Sequence, residues 1–134
     1  MNIKKISIKS SNLINKKVFI IGGSGLIGIS TVASFIDQGC KVYILDILKP
    51  KNKIKSSKLK FIHFDCSNHL NLEKKYFSIM KQYGCPDIYI NCSYPISKNW
   101  HLCNFDKIKT KYLKDNLDVH LLSYSMLSQF TAEK

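Results

Sequence analysis

Apolar positions along this chain fall into short continuous runs, separated by segments where they recur every three or four residues. The runs KKVFII (16–21), KVYILD (41–46), KLKFIHFD (58–65) and DIYIN (87–91) are rich in β-branched and aromatic residues and bounded by glycine, proline or lysine-rich turns, which predicts four strands. Between the first two, Leu26, Ile27, Ile29, Val32, Ala33, Phe35 and Ile36 keep a helical period that Gly39 stops. Leu72, Tyr76, Phe77, Ile79 and Met80 predict an amphipathic helix over about 70–83, ended by Gly84-Cys85-Pro86. A last helix is expected from Phe105 or Asp106 to the end, with Leu113, Leu117, His120, Leu121, Tyr124 and Leu127 along one stripe.

Short apolar strands alternating with helices predict an α/β fold, a parallel sheet with helices on both faces. Right-handed crossovers then give the strand order 3-2-1-4, with the reversal between the first and fourth strands, the crevice where ligands bind in such sheets. Residues 1–15 read as a basic, loosely ordered leader and residues 16–134 as one domain, since 134 residues suffice for a single core and not for two.

Composition narrows the setting. The chain is 45% hydrophobic, as a globular domain is, and no apolar run approaches the roughly 18 residues of a membrane span. The N-terminus has lysines without an apolar segment behind them, so it does not read as a secretory signal, and a cytosolic protein is expected. Five scattered cysteines, Cys40, Cys66, Cys85, Cys92 and Cys103, lack metal-ligand spacing and fit a reduced compartment. The net charge of +12 invites a nucleic-acid reading, but all 21 basic residues are lysines spread along the chain. The densest run, Lys49 to Lys60, lacks interleaved aromatics, so a solvated lysine surface is preferred.

The chemistry concentrates in VFIIGGSGLIG, residues 18–28. Gly22, Gly25 and Gly28 form GxxGxxG, and Gly23, Gly25 and Gly28 satisfy GxGxxG. A bare match to either is weak, but here a strand precedes, a helix follows, and Asp46 closes the next strand 18 residues beyond Gly28. Glycines admit backbone amides to a pyrophosphate, a helix N-terminus favours its charge, and a carboxylate accepts hydrogen bonds from ribose hydroxyls. The turn Gly22, Ser24, Gly25, Leu26, Ile27 and Gly28, with Asp46, is therefore read as a dinucleotide cradle. Asp46 repels a 2′-phosphate, which prefers NAD to NADP, although Lys49 and Lys51 lie close in sequence.

Together with Asp65-Cys66-Ser67 closing the third strand and Asn91-Cys92-Ser93 closing the fourth, GGSGLIG and Asp46 resemble the short-chain dehydrogenase/reductases from Lys16 to the C-terminus. The resemblance implies a Rossmann-type fold lacking its C-terminal strands. It implies that Asp65 and Cys66 serve the adenine end and that Asn91, Cys92 and Ser93 line the cofactor crevice, where Asn-Cys-Ser departs from the family's Asn-Ala-Gly by two heavier residues. The stretches NCSYPISKNW and LKDNLDVHLLSYSMLSQF are similar to oxidoreductases of flagellin-modification and surface-glycan loci linked to nonulosonic acids such as legionaminic acid, which implies a sugar-like substrate.

The family's catalysis uses an asparagine, a serine and a YxxxK pair; Asn116 fits the first, and the others are missing from the 134 residues. One YxxxK string, Tyr94 to Lys98, contains Pro95 and lies in a loop, so it cannot present both side chains on one helical face. His63, His69, His101 and His120 are isolated, with His120 read as a packed or interface residue, and Cys92 has no base placed beside it by sequence. Tyr94 and Trp100 are read as covering the site's mouth or anchoring the loop. The expectation is an oxidoreductase by family and, as a 134-residue chain, a truncated, non-catalytic nucleotide-binding remnant. A homo-oligomer through the last helix is also expected, because that helix commonly joins subunits in the family.

Overall fold

A computed structural model of the chain describes residues 11–51, 54–96, 100–102 and 104–134. Among them are strands β1 (Lys17–Ile21), β2 (Lys41–Asp46), β3 (Leu59–His63) and β4 (Ile88–Asn91), and helices α1 (Leu26–Asp37), α2 (Leu72–Tyr83) and α3 (Thr110–Ala132). The sheet is parallel throughout in the order β3-β2-β1-β4, as the alternation of runs and periods predicts. Positions 1–10 of the basic leader, together with Lys98, Asn99 and Cys103, lie outside the described residues.

Side-chain alternation along the strands divides the core in two. Val18, Ile20, Val42 and Ile44 meet Val32 and Cys40 on the α1 face. Phe19, Ile21 and Leu45 meet Leu72, Tyr76, Met80, Leu127 and Phe130 on the face covered by α2 and α3. Both faces being covered is why β1 and β2 read as unbroken apolar runs. Leu13, from the last part of the leader, packs against the α1-side cluster, and its carbonyl accepts a hydrogen bond from the Cys40 thiol. On the other side, Tyr76 is fully buried and stands edge-on to Phe19. Its hydroxyl meets Thr131 Oγ1 at 2.7 Å, and because Thr131 donates its own proton to the Leu127 carbonyl, Tyr76 is the donor. Burial pushes the Tyr76 hydroxyl up to about 12, so it stays protonated and keeps that role.

Three features differ most from the sequence pattern. β3 ends at His63 because, after Phe64 N–H bonds to the Asp46 carbonyl, Asp65 turns the chain. α3 starts at Thr110, since Asn104–Lys107 closes a turn and Lys109 is extended. The inward face of α3 also differs: Asn116, Ser123, Leu127 and Phe130 are buried, while Leu113, Leu117 and Leu121 of the expected stripe are exposed. Ser123 can be buried because its hydroxyl returns to the Val119 carbonyl, which satisfies it within the helix, whereas the Asn116 side-chain oxygen is buried without a partner among the described residues.

This orientation of α3 has a measurable consequence. Leu127→Ala should lower unfolding free energy by about 2–5 kcal/mol, and Leu121→Ala by less than about 0.5 kcal/mol, in urea denaturation. Equal losses would contradict the assigned face.

Candidate functional site

The carboxyl ends of the four strands form one rim, and the sheet order sets Asp65, Asp46, the Gly22 turn and Asn91 along it in sequence. The reversal of strand order falls between β1 and β4, the place where loops diverge and ligands bind in sheets of this kind.

The glycine turn is built by backbone contacts. Gly22 takes a left-handed φ of 71°, and its N–H donates to the Leu45 carbonyl at 2.9 Å. Gly25 N–H returns to the Gly22 carbonyl at 3.1 Å, which folds the turn tightly before α1. A Cβ on Gly22 would stand 2.5 Å from Ser93 Cα, and one on Gly28 would strike the Gly22 carbonyl oxygen and lie 2.7 Å from Gly23 Cα. Both positions therefore exclude any side chain, the first for the approach of β1 to β4 and the second for the approach of α1 to its own turn. Gly25 caps α1 without a side-chain hydrogen bond, so no capping side chain covers the first turn's amides. Leu26 and Ile27 do not face the core as their helical period suggests; they are 91% and 73% exposed on the outer side of this first turn.

Asp46 joins the turn directly. Its Oδ2 accepts Ser24 N–H at 3.0 Å, while Oδ1 accepts Leu48 N–H at 3.2 Å. The Ser24 hydroxyl oxygen is buried without a partner among the described residues.

The two Cys-Ser elements repeat one geometry. Asp65 Oδ1 accepts the N–H and hydroxyl of Ser67 at 2.9 and 2.6 Å, and Asn91 Oδ1 accepts those of Ser93 at the same two distances. Each acidic or amide side chain thus closes a turn two residues ahead and halts its strand. The amide nitrogen of Asn91 remains buried and unpartnered. Burial pushes the Cys66 thiol up. The heavier residues of Asn-Cys-Ser leave the backbone approach intact, because Gly22 supplies the space instead.

The remaining predicted residues take separate places. Asn116 is buried on α3 with its carbonyl oxygen unpartnered. Cys92 is a free, half-buried thiol packed against the α1-side cluster. Tyr94 is exposed and lays its ring against His120 at 4.4 Å, and Trp100 lies half-buried in a short helical turn. The Tyr124 hydroxyl lies 2.6 Å from the Ser93 carbonyl, whereas the sequence places Tyr124 on the apolar stripe of the last helix, with His120 at an expected subunit interface. The signal that would have found it is His120-x-x-x-Tyr124, a polar pair at one-turn spacing.

The residues present suit a dinucleotide. Two glycines admit no Cβ, a helix start has no side-chain cap, a carboxylate stands at the end of β2, and a buried hydroxyl has no protein partner. Among the described residues no group of three His, Cys, Asp or Glu side chains could hold a metal.

Comparison with known proteins finds no matching family model and no matching curated sequence. Solved structures do match. A short chain dehydrogenase from Leptospira borgpetersenii serovar Hardjo-bovis with bound NAD+ is 29% identical, with a TM-score of 0.74 over 98% of this chain and 49% of that one. The aldohexose dehydrogenase of Thermoplasma acidophilum, in ligand-free form, is 26% identical, with a TM-score of 0.73 over 92% of this chain and 45% of that one. A short-chain dehydrogenase/reductase from Serratia marcescens, at 22% identity and a TM-score of 0.66 over 90% of this chain and 53% of that one, shares the fold. The chain spans about half the length of these neighbours. Its fold is the Rossmann-type α/β fold, and its neighbours among solved structures are short-chain dehydrogenases/reductases.

Proposed function

We propose that this chain is the nucleotide-binding part of a short-chain dehydrogenase/reductase and that it binds NAD in the crevice between β1 and β4. The observation that carries the reading is the Asp46 carboxylate bonded to Ser24 N–H inside a glycine turn that tolerates no Cβ at Gly22 or Gly28. In this reading the amides of residues 26–28 hold the pyrophosphate at the start of α1, the Ser24 and Gly25 N–H groups being given to Asp46 and the Gly22 carbonyl. Leu26 and Ile27 flank it, and Asp46 accepts the adenosine ribose hydroxyls. Asp65 and Cys66 border the adenine, and Asn91, Cys92 and Ser93 border the nicotinamide half. When bound, the cofactor supplies a hydride acceptor or donor. Asp46 opposes a 2′-phosphate by charge, which favours NAD over NADP.

The activity we propose for the whole protein is oxidation of an alcohol or reduction of a ketone on a sugar-like molecule, a precursor of a surface glycan such as a nonulosonic acid. The aldohexose dehydrogenase neighbour supports the substrate class. Asn116, buried on α3, is the residue of this chain that we assign to the catalytic set. The serine and the YxxxK pair are not among its 134 residues, so we propose that the chain by itself binds nucleotide without turnover. The free cysteines support a cytosolic setting, and no helix among the described residues is long and apolar enough to cross a membrane. The exposed Leu113, Leu117 and Leu121 on α3 support self-association through that helix.

Two outcomes are expected in isothermal calorimetry. NAD should bind saturably and at least about tenfold more tightly than NADP, and Asp46→Asn should shrink that preference to about threefold or less. Undetectable binding of both nucleotides at millimolar concentration would contradict the site. Gly28→Ala, which drives a methyl into the Gly22 carbonyl, should weaken NAD binding by more than about tenfold and lower stability by about 1–3 kcal/mol. Unchanged NAD affinity in that variant would contradict the cradle.

A further inference from the structure

The backbone that borders the glycine turn on its β4 side is held from an unexpected direction. The Ser93 carbonyl accepts the Tyr124 hydroxyl at 2.6 Å, from one turn beyond His120 on α3. A carbonyl oxygen only accepts, so the Tyr124 proton is committed to Ser93. His120 Nδ1 lies 3.0 Å from the same Tyr124 oxygen, and with that proton already placed, His120 must be the donor there. The neutral imidazole is therefore the Nδ1–H tautomer, with its Nε2 lone pair buried and unpartnered among the described residues. The Tyr94 ring, edge-on at 4.4 Å, closes the imidazole's other side.

Ser93 is thus held at three points, its N–H and hydroxyl by Asn91 Oδ1 and its carbonyl by Tyr124. It also packs closely on the turn, since a Cβ on Gly22 would lie only 2.5 Å from Ser93 Cα and N. A shift of Ser93 by a few tenths of an ångström would pass into the turn that folds back on Gly25 and Gly28. Burial pushes the Tyr124 hydroxyl above its ordinary range, so it remains a donor through the neutral range.

We propose that His120 and Tyr124 form a positioning pair that clamps the exit of β4 to α3 and thereby sets the width of the dinucleotide crevice, governing affinity without touching the dinucleotide. The proposal rests on the NAD-binding reading above.

The test uses the full chain, isothermal calorimetry with NAD, thermal unfolding and ¹⁵N NMR of the histidine ring. Tyr124→Phe should weaken NAD binding about five- to tenfold, the scale of one buried hydrogen bond. Tyr76→Phe removes a hydroxyl that binds the same helix far from the crevice, and should leave NAD affinity within about twofold while lowering thermal stability comparably. His120→Leu should copy Tyr124→Phe, whereas His120→Asn, whose amide can donate near the position of Nδ1, should recover most of the affinity. The His120 ring should be Nδ1–H in the parent chain and a mixture of tautomers in Tyr124→Phe. Parent-like NAD affinity in Tyr124→Phe, an equal loss in Tyr76→Phe, or an Nε2–H ring in the parent would each overturn the proposal. If the parent chain binds no NAD while its ring is Nδ1–H, the clamp stands and its link to affinity falls with the NAD-binding reading.

Discussion

The structure depends on one steric constraint, the passage of the chain leaving β1 between two other stretches of backbone. At Gly22 it passes against Ser93, where a Cβ would sit 2.5 Å from the neighbouring Cα. Six residues later Gly28 passes over the Gly22 carbonyl, where a Cβ has no room at all. Such spacing is open only to glycine, and it brings the first amides of α1 to the carboxyl edge of the sheet. Two of the assigned elements connect to that crossing, while Asp65 and Cys66 lie farther along the rim at the end of β3. Asp46 reaches the crossing through Ser24, and Asn91 reaches it through Ser93.

The rest of the fold holds the crossing in place. β1 and β2 are buried on both faces, so neither can slip in register without exposing an apolar row. On one face α1, with Leu13 and Ile54 beside it, covers Val18, Ile20 and Ile44; on the other, α2 and α3 pack a larger cluster around Tyr76. α3 packs on β4 as well as on α2, and it is this helix that reaches the Ser93 carbonyl. The helix that completes the larger core is therefore also the one that touches the crevice wall.

Much of this was legible in the sequence, and the physical reasons are specific. The strands were readable because burial on both faces leaves unbroken apolar runs, and their order followed from the alternation with helices. The cradle was readable because Gly22 and Gly28 answer to contacts that no other residue permits. Asp65 and Asn91 could be placed at strand exits, and β4 ends at Asn91 as expected, but the turn that Asp65 makes with Ser67 ends β3 two residues earlier than its apolar pattern suggests. The inward face of α3 was the least legible. Its leucines at 113, 117 and 121 outnumber the buried apolar residues, while the buried side chains include Asn116 and Ser123. Hydropathy cannot register a serine satisfied by its own helix or a tyrosine whose value lies in its hydroxyl. The pairing of His120 with Tyr124 depends on hydrogen-bond direction, which no periodicity encodes.

The central claim is that the rim formed by the glycine turn, Asp46, Asp65 and Asn91 is a single dinucleotide site. Amide chemical-shift mapping of the ¹⁵N-labelled chain during NAD titration tests it most directly. The account predicts perturbations at residues 22–28, 46–48, 65–67 and 91–93, with the opposite edge at Lys41, Lys58 and Lys60 unchanged. Perturbations centred on those lysines, or none at the glycine turn, would contradict it.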